Sequence, residues 1–385
     1  MKTSAIFNKI LAVTFLLIIF VAMTLFFVLK TEDVNLEENR NLAVLPEFDV
    51  NKLDPFPQQY DKYYADHFPF RSEIVKAFNK INFIGLKISP LPEKVIIGLN
   101  DFLFMSGEEM ETYQGKNLFT KEELQSILEE LTYRRDFCAS EGAKFYFVII
   151  PQKQTIYEEY IPLKYRTTKK ETNRVKLEEY LRQNNFPVYD PTNYFFEKKN
   201  DGKLLYLNTD NHWNNLGAFY ASQYITDVIR KDFPQIAPLT LDNYTFVKKE
   251  REGGNLAQML NMKDELLDYN FIFERNDSTK AMEGKKVPYT PPPTFPYPWE
   301  YERVYVNPEA NDLKAVIICE SFGTLQLDFY KESFGKTVLI FDEWQHALNP
   351  EIIKNEKPDI VVIQVLENML NRLLMHQAKN EKPGA

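Results

Sequence analysis

The stretch "LKAVIICESFGTLQLDFY", residues 313–330, contains the pattern that best predicts the fold. The segment 313–319 is apolar except for Lys314, which is typical of a strand buried on both faces of a parallel sheet. A helical pattern follows after a short Glu-Ser turn and predicts a helix that starts around Gly323. This order of strand, turn and helix places Ser321 at the carboxyl edge of a sheet, where ligands bind in open α/β folds.

Similar patterns recur along the chain. Apolar runs at "AKFYFVIIP" (143–151), "FPVYD" (186–190), "GKTVLIF" (335–341) and "PDIVVIQV" (358–365) predict further strands, separated by helical patterns. They indicate an α/β domain with a mostly parallel sheet covered by helices on both faces. "VIIGLNDFLFMSG" (95–107) predicts a hairpin at a sheet edge. Residues 240–312, with a run over 287–301 rich in proline and aromatic residues, predict an irregular insertion.

The N-terminal segment Ile10–Leu29 holds no charged residue and is long enough to cross a bilayer. Lys2 and Lys9 precede it and acidic residues follow it, so the positive-inside rule predicts a cytoplasmic N-terminus and an exported main domain. A cleaved signal peptide is the alternative, but the length of the apolar run favours a retained single-pass anchor in the cell membrane. The predicted organisation is an anchor over residues 1–30, an extracytoplasmic stalk over 31–95 that packs on the main domain, and the main domain over 96–385.

Composition excludes several classes of function. The net charge of −9 and sequence pI near 5.3 argue against a nucleic-acid partner, whose phosphates require a basic face. Two cysteines give no disulfide framework. The chain has no glycine-rich phosphate loop and no metal-type spacing of Cys and His, so the sequence predicts neither a cofactor nor a metal site.

A second polar motif accompanies Ser321. "LNTDNHWNNLGAFYAS" (207–222) carries Asp210 and His212 just before a predicted helix. A serine hydroxyl becomes a good nucleophile when a histidine takes its proton, and that histidine needs a carboxylate to fix its tautomer. Ser321 could instead be a helix N-cap, and Asp210 and His212 could be a solvated loop or the start of a metal site. In the catalytic interpretation, the Ser321 N–H and the helix N-terminus at Gly323 would stabilise an oxyanion.

Eight short motifs, taken in order, resemble the DHHW family of exported proteins, relatives of the SGNH-hydrolase-like alginate O-acetyltransferases. They are "ENRNLAVLPEF", "DHFPFR", "IGLNDFLF", "VIIPQKQTIY", "TDNHWNNLGA", "GGNLAQML", "CESFG" and "KPDIVVIQVLENML". The resemblance implies an SGNH-like, flavodoxin-type three-layer α/β/α fold in which the Asp-x-His loop precedes the serine strand. It also implies a Ser321–His212–Asp210 triad and transfer of acetyl groups to a secreted or cell-surface polysaccharide. Since acetyl-CoA is absent outside the cytoplasm, it further implies a membrane-bound O-acyltransferase partner that supplies acetyl groups.

The nucleophile turn departs from the family pattern, because the usual Asp-Ser-Phe is Glu320-Ser321-Phe322 here. Two alternatives therefore accompany the transferase: a carbohydrate acetylesterase, or a non-catalytic protein that binds or assembles polysaccharide.

Four further interpretations concern substrate contacts and the oxyanion. Trp213 is expected to floor a sugar pocket or to pack in the core, and Lys153 to orient a substrate or to be an exposed loop residue. Tyr297 and Trp299 are expected to stack on sugar rings or to cover the core. Asn368 is expected to be an auxiliary oxyanion donor or a cap of the last helix.

Overall fold

The computed structural model describes residues 2–28, 34–35, 40–50, 53–168, 171–292, 295, 297–342 and 345–376. The chain forms two compact units, one of Met1–Leu91 with Ala257–Lys263 and the other of Pro92–Leu256 with Asp264–Ala385. The first boundary lies close to the predicted end of the stalk. The return of the chain to the first unit over Ala257–Lys263 has no counterpart in the sequence prediction.

The first unit begins with a long apolar helix, α1 (Lys2–Val28). Within it, Ile6–Val28 has a mean hydropathy of 2.9 and none of its residues is buried, so its length and composition suit a membrane span. The unit continues with β1 (Val34–Asn35), β2 (Arg40–Asn41), α2 (Pro55–Asp66) and α3 (Arg71–Lys80), which runs on into a π-helical segment, Ile81–Leu86.

The second unit alternates helices and strands along most of its length. Its elements are β3 (Val95–Ile97), β4 (Leu103–Met105), α4 (Glu108–Tyr113), α5 (Lys121–Ser140), β5 (Lys144–Ile150), α6 (Lys153–Ile156), α7 (Asn173–Gln183), α8 (Thr192–Lys199), α9 (Asn215–Arg230), β6 (Tyr244–Glu252), α10 (Asn255–Met259), β7 (Leu267–Arg275), β8 (Met282–Glu283), β9 (Glu302–Val306), β10 (Lys314–Cys319), α11 (Ser321–Tyr330), β11 (Lys336–Phe341), α12 (Pro350–Glu356) and β12 (Ile360–Leu366). A 3₁₀-helical segment, Glu367–His376, follows β12. The last residues of α10 belong to the first unit.

The central sheet has the strand order β5-β12-β10-β11-β9-β8. Its first four strands are parallel, whereas β9 and β8 are antiparallel additions at one edge. The predicted mostly parallel sheet is therefore confirmed. Connections between parallel strands are right-handed, so the steps from β10 to β11 and from β11 back to β12 place α11 and α12 on opposite faces. Helices thus cover both faces of the sheet.

Burial along the strands explains why their sequences are continuous apolar runs. Every residue of β12 is buried, and in β5, β10 and β11 the first residue, a lysine, is the one that is not buried. A strand buried on both faces has no solvent-exposed side, so apolar and polar residues do not alternate along it. Thr120 is the N-cap of α5. Its hydroxyl accepts the Glu123 N–H at 3.2 Å, and the Glu123 carboxylate accepts the Thr120 N–H at 2.8 Å.

Two predictions about strands are wrong. The insertion over 240–312 is not irregular throughout, because β6 and β7 pair over nine residues each and β9 joins the central sheet. Most residues of β6 are exposed and charged, as in "KKERE", so it lacks the apolar pattern of a buried strand. The segment "FPVYD" forms a single bridge from Tyr189 to Val148 rather than a strand of the sheet.

Candidate active site

Ser321 lies at the carboxyl edge of the parallel sheet. Strand β10 ends at Cys319, Glu320 stands in the N-cap position with extended backbone, and Ser321 is the first residue of α11. The helix therefore starts two residues earlier than predicted, and Ser321 is not its N-cap. The Glu320 side chain makes no capping hydrogen bond, so it does not occupy the N–H groups of the first turn.

The loop that carries His212 is fixed at both ends by backbone hydrogen bonds. Leu207 N–H donates to the His212 carbonyl at 3.1 Å, and Asn214 N–H donates to the Leu205 carbonyl at 2.9 Å. Asn214 then caps α9, because its side-chain oxygen accepts the N–H groups of Leu216 and Gly217 at 3.0 Å each. These hydrogen bonds fix the backbone at His212 and on its C-terminal side.

Ser321, His212 and Asp210 form a continuous hydrogen-bonded chain, although His212 and Ser321 are 109 residues apart in sequence. The distance from His212 Nε2 to Ser321 Oγ is 2.8 Å, and the distance from His212 Nδ1 to Asp210 Oδ1 is 2.7 Å. A carboxylate only accepts hydrogen bonds, so Nδ1 carries the proton and Nε2 of the neutral ring is free to accept from the serine hydroxyl. The arrangement can remove the serine proton during nucleophilic attack.

The Asp210 carboxylate is strongly held in its ionised form. Burial alone would raise its pKa, but the hydrogen bond and charge of His212 and the backbone N–H groups of Asn255 and His212 lower the pKa to about 2. Asn255 N–H donates to Oδ2 at 3.0 Å and His212 N–H donates to Oδ1 at 3.0 Å. Gly254 leaves the room for this, because a Cβ added there would lie 2.4 Å from Asp210 Oδ2.

Lys153 supports the loop from inside the protein and does not face a substrate. It is fully buried at the start of α6, and its Nζ donates to the carbonyl oxygens of Leu103, Asn208 and Asp210 at 2.6, 2.8 and 2.9 Å. The predicted substrate contact is therefore wrong, because all three donor positions are used. Burial lowers the pKa of Lys153 to about 7, although the nearby carboxylates of Asp268, Asp210 and Glu109 oppose that shift.

The substitution Lys153→Met is expected to change how stability depends on pH. The folded protein releases this proton at about pH 7, whereas the unfolded chain holds it up to the ordinary pKa of 10.5. Between these values the unfolded chain binds more protons, so the free energy of unfolding rises with pH, by at most about 1.4 kcal/mol per pH unit from this group. Below pH 7 both states bind the proton and this contribution to the slope vanishes.

Urea unfolding of the detergent-solubilised protein at a series of pH values from 6 to 10 would measure this slope. The variant should lack the rise, and its overall stability should fall by roughly 1–3 kcal/mol, because three buried carbonyls lose their donor. Lys121→Met, on the exposed first residue of α5, should retain the wild-type slope. An equal slope in wild type and Lys153→Met would contradict the prediction.

Trp213 belongs to the core beneath the nucleophile turn. It is fully buried, its Nε1 donates to the Phe322 carbonyl at 3.1 Å, and its ring packs edge-on against Phe322 with centroids 5.0 Å apart. It cannot floor a sugar pocket, so that prediction is wrong and the core interpretation holds. Its contacts hold the residue that immediately follows Ser321.

One of the three predicted oxyanion donors, Gly323, is not placed for that role. Gly323 N–H donates to the Glu320 carbonyl at 2.9 Å, and a Cβ at Gly323 would lie 2.3 Å from Cys319 Sγ, so this glycine is needed for packing. Asn368 lies inside the 3₁₀ segment rather than at its cap, and its Oδ1 is buried without a partner. Within the described part of the chain, no hydrogen bond connects Asn368 with the triad. The Ser321 N–H at the N-terminus of α11 and the Asn368 amide remain the candidates.

The Glu320 side chain points into the protein. It is fully buried, Oε2 accepts from His346 Nε2 at 3.3 Å, and Oε1 accepts from Gln364 Nε2 at 3.4 Å. His346 is also fully buried. Glu320, where the family usually has aspartate, therefore contacts a buried cluster behind the turn. With this glutamate in place, Ser321 Oγ lies 2.8 Å from His212 Nε2.

Tyr297 and Trp299 are exposed at the carboxyl edge of the sheet. The Phe341 N–H at the end of β11 donates to the Tyr301 carbonyl at 2.9 Å, which places the preceding aromatic residues at this edge. Trp299 is 70% exposed and Tyr297 is 44% exposed, with ring centroids 6.0 Å apart. Both rings therefore lie at the edge of the sheet that carries Ser321. Among the described residues, neither ring contacts the triad.

Several residues that shape the site lie outside the predicted set. Asp268 accepts hydrogen bonds from Asn208 N–H, Thr209 N–H and the Thr209 hydroxyl at 2.7–3.0 Å. Buried Glu109 accepts from the side chains of Asn211 and Gln154, and its pKa is raised by burial. The only sequence signal for these supporting contacts is that residues in or beside the motifs "TDNH" and "GGN" take part in them. No group of three or more His, Cys, Asp or Glu side chains among the described residues could hold a metal ion.

Comparison with known proteins agrees with this architecture. Residues 95–285 match the family described as "SGNH hydrolase-like domain, acetyltransferase AlgX". The match confirms the predicted relationship, and the chain carries an acetyltransferase-like SGNH domain. No curated protein matches the chain.

Three solved structures are similar to this chain. PatB1 of Bacillus cereus is 17% identical, with a TM-score of 0.52 over 72% of this chain and 96% of that chain. The O-acetyltransferase domain of Pseudomonas putida AlgJ is 16% identical, with a TM-score of 0.46 over 72% and 92%. A DHHW family protein from Eubacterium siraeum is 14% identical, with a TM-score of 0.49 over 74% and 98%. Together with the family match, the likeness to PatB1 confirms the predicted SGNH-like fold.

Proposed function

We propose that this protein is a membrane-anchored O-acetyltransferase that moves acetyl groups onto a secreted or cell-surface polysaccharide. The observation that carries the proposal is the chain from Ser321 Oγ through His212 to Asp210, with distances of 2.8 and 2.7 Å, at the start of α11. The family match over residues 95–285 supports acetyl transfer as the reaction. The short distance between Ser321 Oγ and Nε2 argues against a purely non-catalytic protein.

The reaction follows from which atoms can give and accept protons. His212 Nε2 takes the hydroxyl proton as Ser321 Oγ attacks the acetyl carbonyl of the donor, and the imidazolium then protonates the leaving group. The product is acetyl-Ser321. A sugar hydroxyl gives its proton to Nε2 and attacks the ester, and Ser321 Oγ leaves with that proton. The ionised Asp210 stabilises the imidazolium in both steps.

The negative charge that develops on the carbonyl oxygen during attack needs a hydrogen-bond donor close to Ser321. The Ser321 N–H at the positive end of α11 is the group best placed for it, since Glu320 does not cap this helix. Tyr297 and Trp299 offer exposed ring faces for the sugar acceptor. Helix α1 would keep the domain beside a membrane-bound O-acyltransferase that delivers the acetyl group.

Intact-mass spectrometry after brief incubation with p-nitrophenyl acetate tests the proposal. The full-length wild type should gain about 42 Da as acetyl-Ser321, whereas Ser321→Ala should not. Ser333→Ala is a matched control, because it removes a buried hydroxyl in the turn after α11 that donates to the Phe329 carbonyl. Acceptor oligosaccharide is then added to the acylated protein.

Faster loss of the adduct with oligosaccharide than with buffer alone would support transfer. Loss to water at a rate that sugar does not change would identify an acetylesterase instead. An equal adduct on wild type and Ser321→Ala, or none on folded wild type, would overturn the acyl-serine mechanism.

A further inference from the structure

Helix α3 and its π-helical continuation expose a row of large apolar side chains. The row, here called the apolar stripe, consists of Phe70, Ile74, Phe78, Ile81, Ile84 and Ile88. These side chains are 51–64% exposed. Ile74, Phe78, Ile81 and Ile84 lie within the helical segment, where a spacing of three or four residues places them on one side. Phe70 immediately precedes α3, and Ile88 follows the π-helical segment. Singly exposed apolar residues are common on soluble proteins, but a continuous row of six indicates a surface that contacts something other than water.

The opposite side of the same helix is the one that packs inside the first unit. Asn79 and Phe83 are buried, and Asn79 Nδ2 donates to the Leu260 carbonyl at 2.8 Å. A polar Asn therefore lies in the interior while isoleucine and phenylalanine face outward. Apolar residues thus lie on the outward side as well as the inward side, unlike an ordinary surface helix, whose outward side is polar.

The apolar stripe starts close to the end of the apolar helix α1. Phe26, in the last turn of α1, packs against Tyr63 and Tyr64 of α2, with ring centroids 6.0 and 4.8 Å apart. Phe68 lines the same groove between α1 and α2, and the stripe begins two residues later at Phe70. Aromatic residues at the end of a membrane span are typical of the lipid–water interface.

Charge favours a lipid surface as the occupant. Lys80 and Lys87 are exposed beside the stripe, and Lys side chains with apolar neighbours can lie along the bilayer while their ammonium groups reach the headgroups. Anionic headgroups attract such residues. The helical segment that carries the stripe, residues 71–86, is roughly 20–24 Å long, which suits a helix lying flat in the interface.

We propose that the apolar stripe lies in the interfacial layer of the membrane that α1 crosses, so that the first unit holds the bilayer through both elements. This inference rests on the anchoring role of α1 in the proposed function. The occupant is the lipid of the outer leaflet, where the ends of acyl chains meet the headgroups. The contact would orient the first unit as well as tether it, because one helix crosses the bilayer and another lies along its surface.

Fluorescence quenching in vesicles tests this inference on the full chain. Cys138 and Cys319 are both fully buried, so a cysteine introduced at Phe78 or Ile81 can be labelled selectively with an environment-sensitive dye. The protein is reconstituted in vesicles of phosphatidylcholine and phosphatidylglycerol. Quenching is measured with a shallow nitroxide lipid and with aqueous iodide. Lys121→Cys, on an exposed residue of the second unit, is the control.

Labels at Phe78→Cys and Ile81→Cys should show blue-shifted emission, several-fold stronger quenching by the nitroxide lipid than at Lys121→Cys, and protection from iodide. Quenching by iodide alone would overturn the inference. Protection from both quenchers would also overturn it, because it would show that protein, rather than lipid, covers the stripe. A label at Phe15→Cys tests the anchor separately. If a nitroxide lipid does not quench it, the anchoring proposal fails. The labels at Phe78→Cys and Ile81→Cys still test the stripe in that case.

Discussion

Replacing Ser321 by alanine is expected to lower acetyl transfer by about 10⁴-fold or more, and adding His212→Ala should lower it little further. The two side chains act as one unit, because Nε2 lies 2.8 Å from Oγ and has no other proton to remove in the first step. Once the nucleophile is absent, removing its base costs almost nothing. Steady-state rates with a chromogenic acetyl ester, for both single variants and the double variant, measure this non-additivity.

Ser333→Ala serves again as the control and should retain wild-type rates. Losses that multiply in the double variant would show that Ser321 and His212 act independently, which would contradict the proposed triad. A small loss in Ser321→Ala alone would show that another group forms the acyl-enzyme.

Asp210→Asn is expected to lower the acylation rate by about 10⁴-fold without unfolding the loop. An amide at this position can donate to Nδ1, which favours the tautomer with a proton on Nε2, and that nitrogen can then no longer accept the serine proton. The pKa of about 2 keeps Asp210 ionised at all ordinary pH values. Any fall in wild-type activity between pH 8 and pH 5 must therefore come from another group.

Single-turnover rates from pH 5 to pH 8 for wild type and Asp210→Asn measure this effect. Asp201→Asn, on an exposed loop, should behave as wild type. A loss of less than tenfold in Asp210→Asn, with the variant folded, would mean that the carboxylate does not orient His212.

The sequence predicts the fold well where residues are buried on both faces of the sheet. Strands β5, β10, β11 and β12 were recognisable because burial on two faces demands continuous apolar runs. Strands β6 and β7 were missed because a two-stranded ribbon can expose most of its residues, so no burial pattern marks them. For the same reason, the sequence predicts less regular structure over residues 240–312 than the structure contains.

At the candidate site, the sequence indicated which residues could act together but not which way each side chain points. Motif order brought Asp210, His212 and Ser321 to one edge of the sheet, where the structure has them within hydrogen-bonding distance. Lys153 and Trp213 occupy the same neighbourhood but are buried, and a residue's position next to a motif does not reveal its burial. The contacts of Asp268 and Gly254 depend on segments that are distant in sequence and show no local pattern.

The packing of Trp213 on Phe322 gives the molecule a built-in optical reporter. The chain has three tryptophans; Trp213 is dry and lies beside the nucleophile turn, Trp299 faces water, and Trp344 lies outside the described residues. A sheltered indole emits at shorter wavelength than a hydrated one, and its emission responds to small movements of neighbouring groups. Acetylation of Ser321 is therefore expected to change the intrinsic fluorescence of Trp213, which would report the reaction with no dye attached and no chromogenic leaving group.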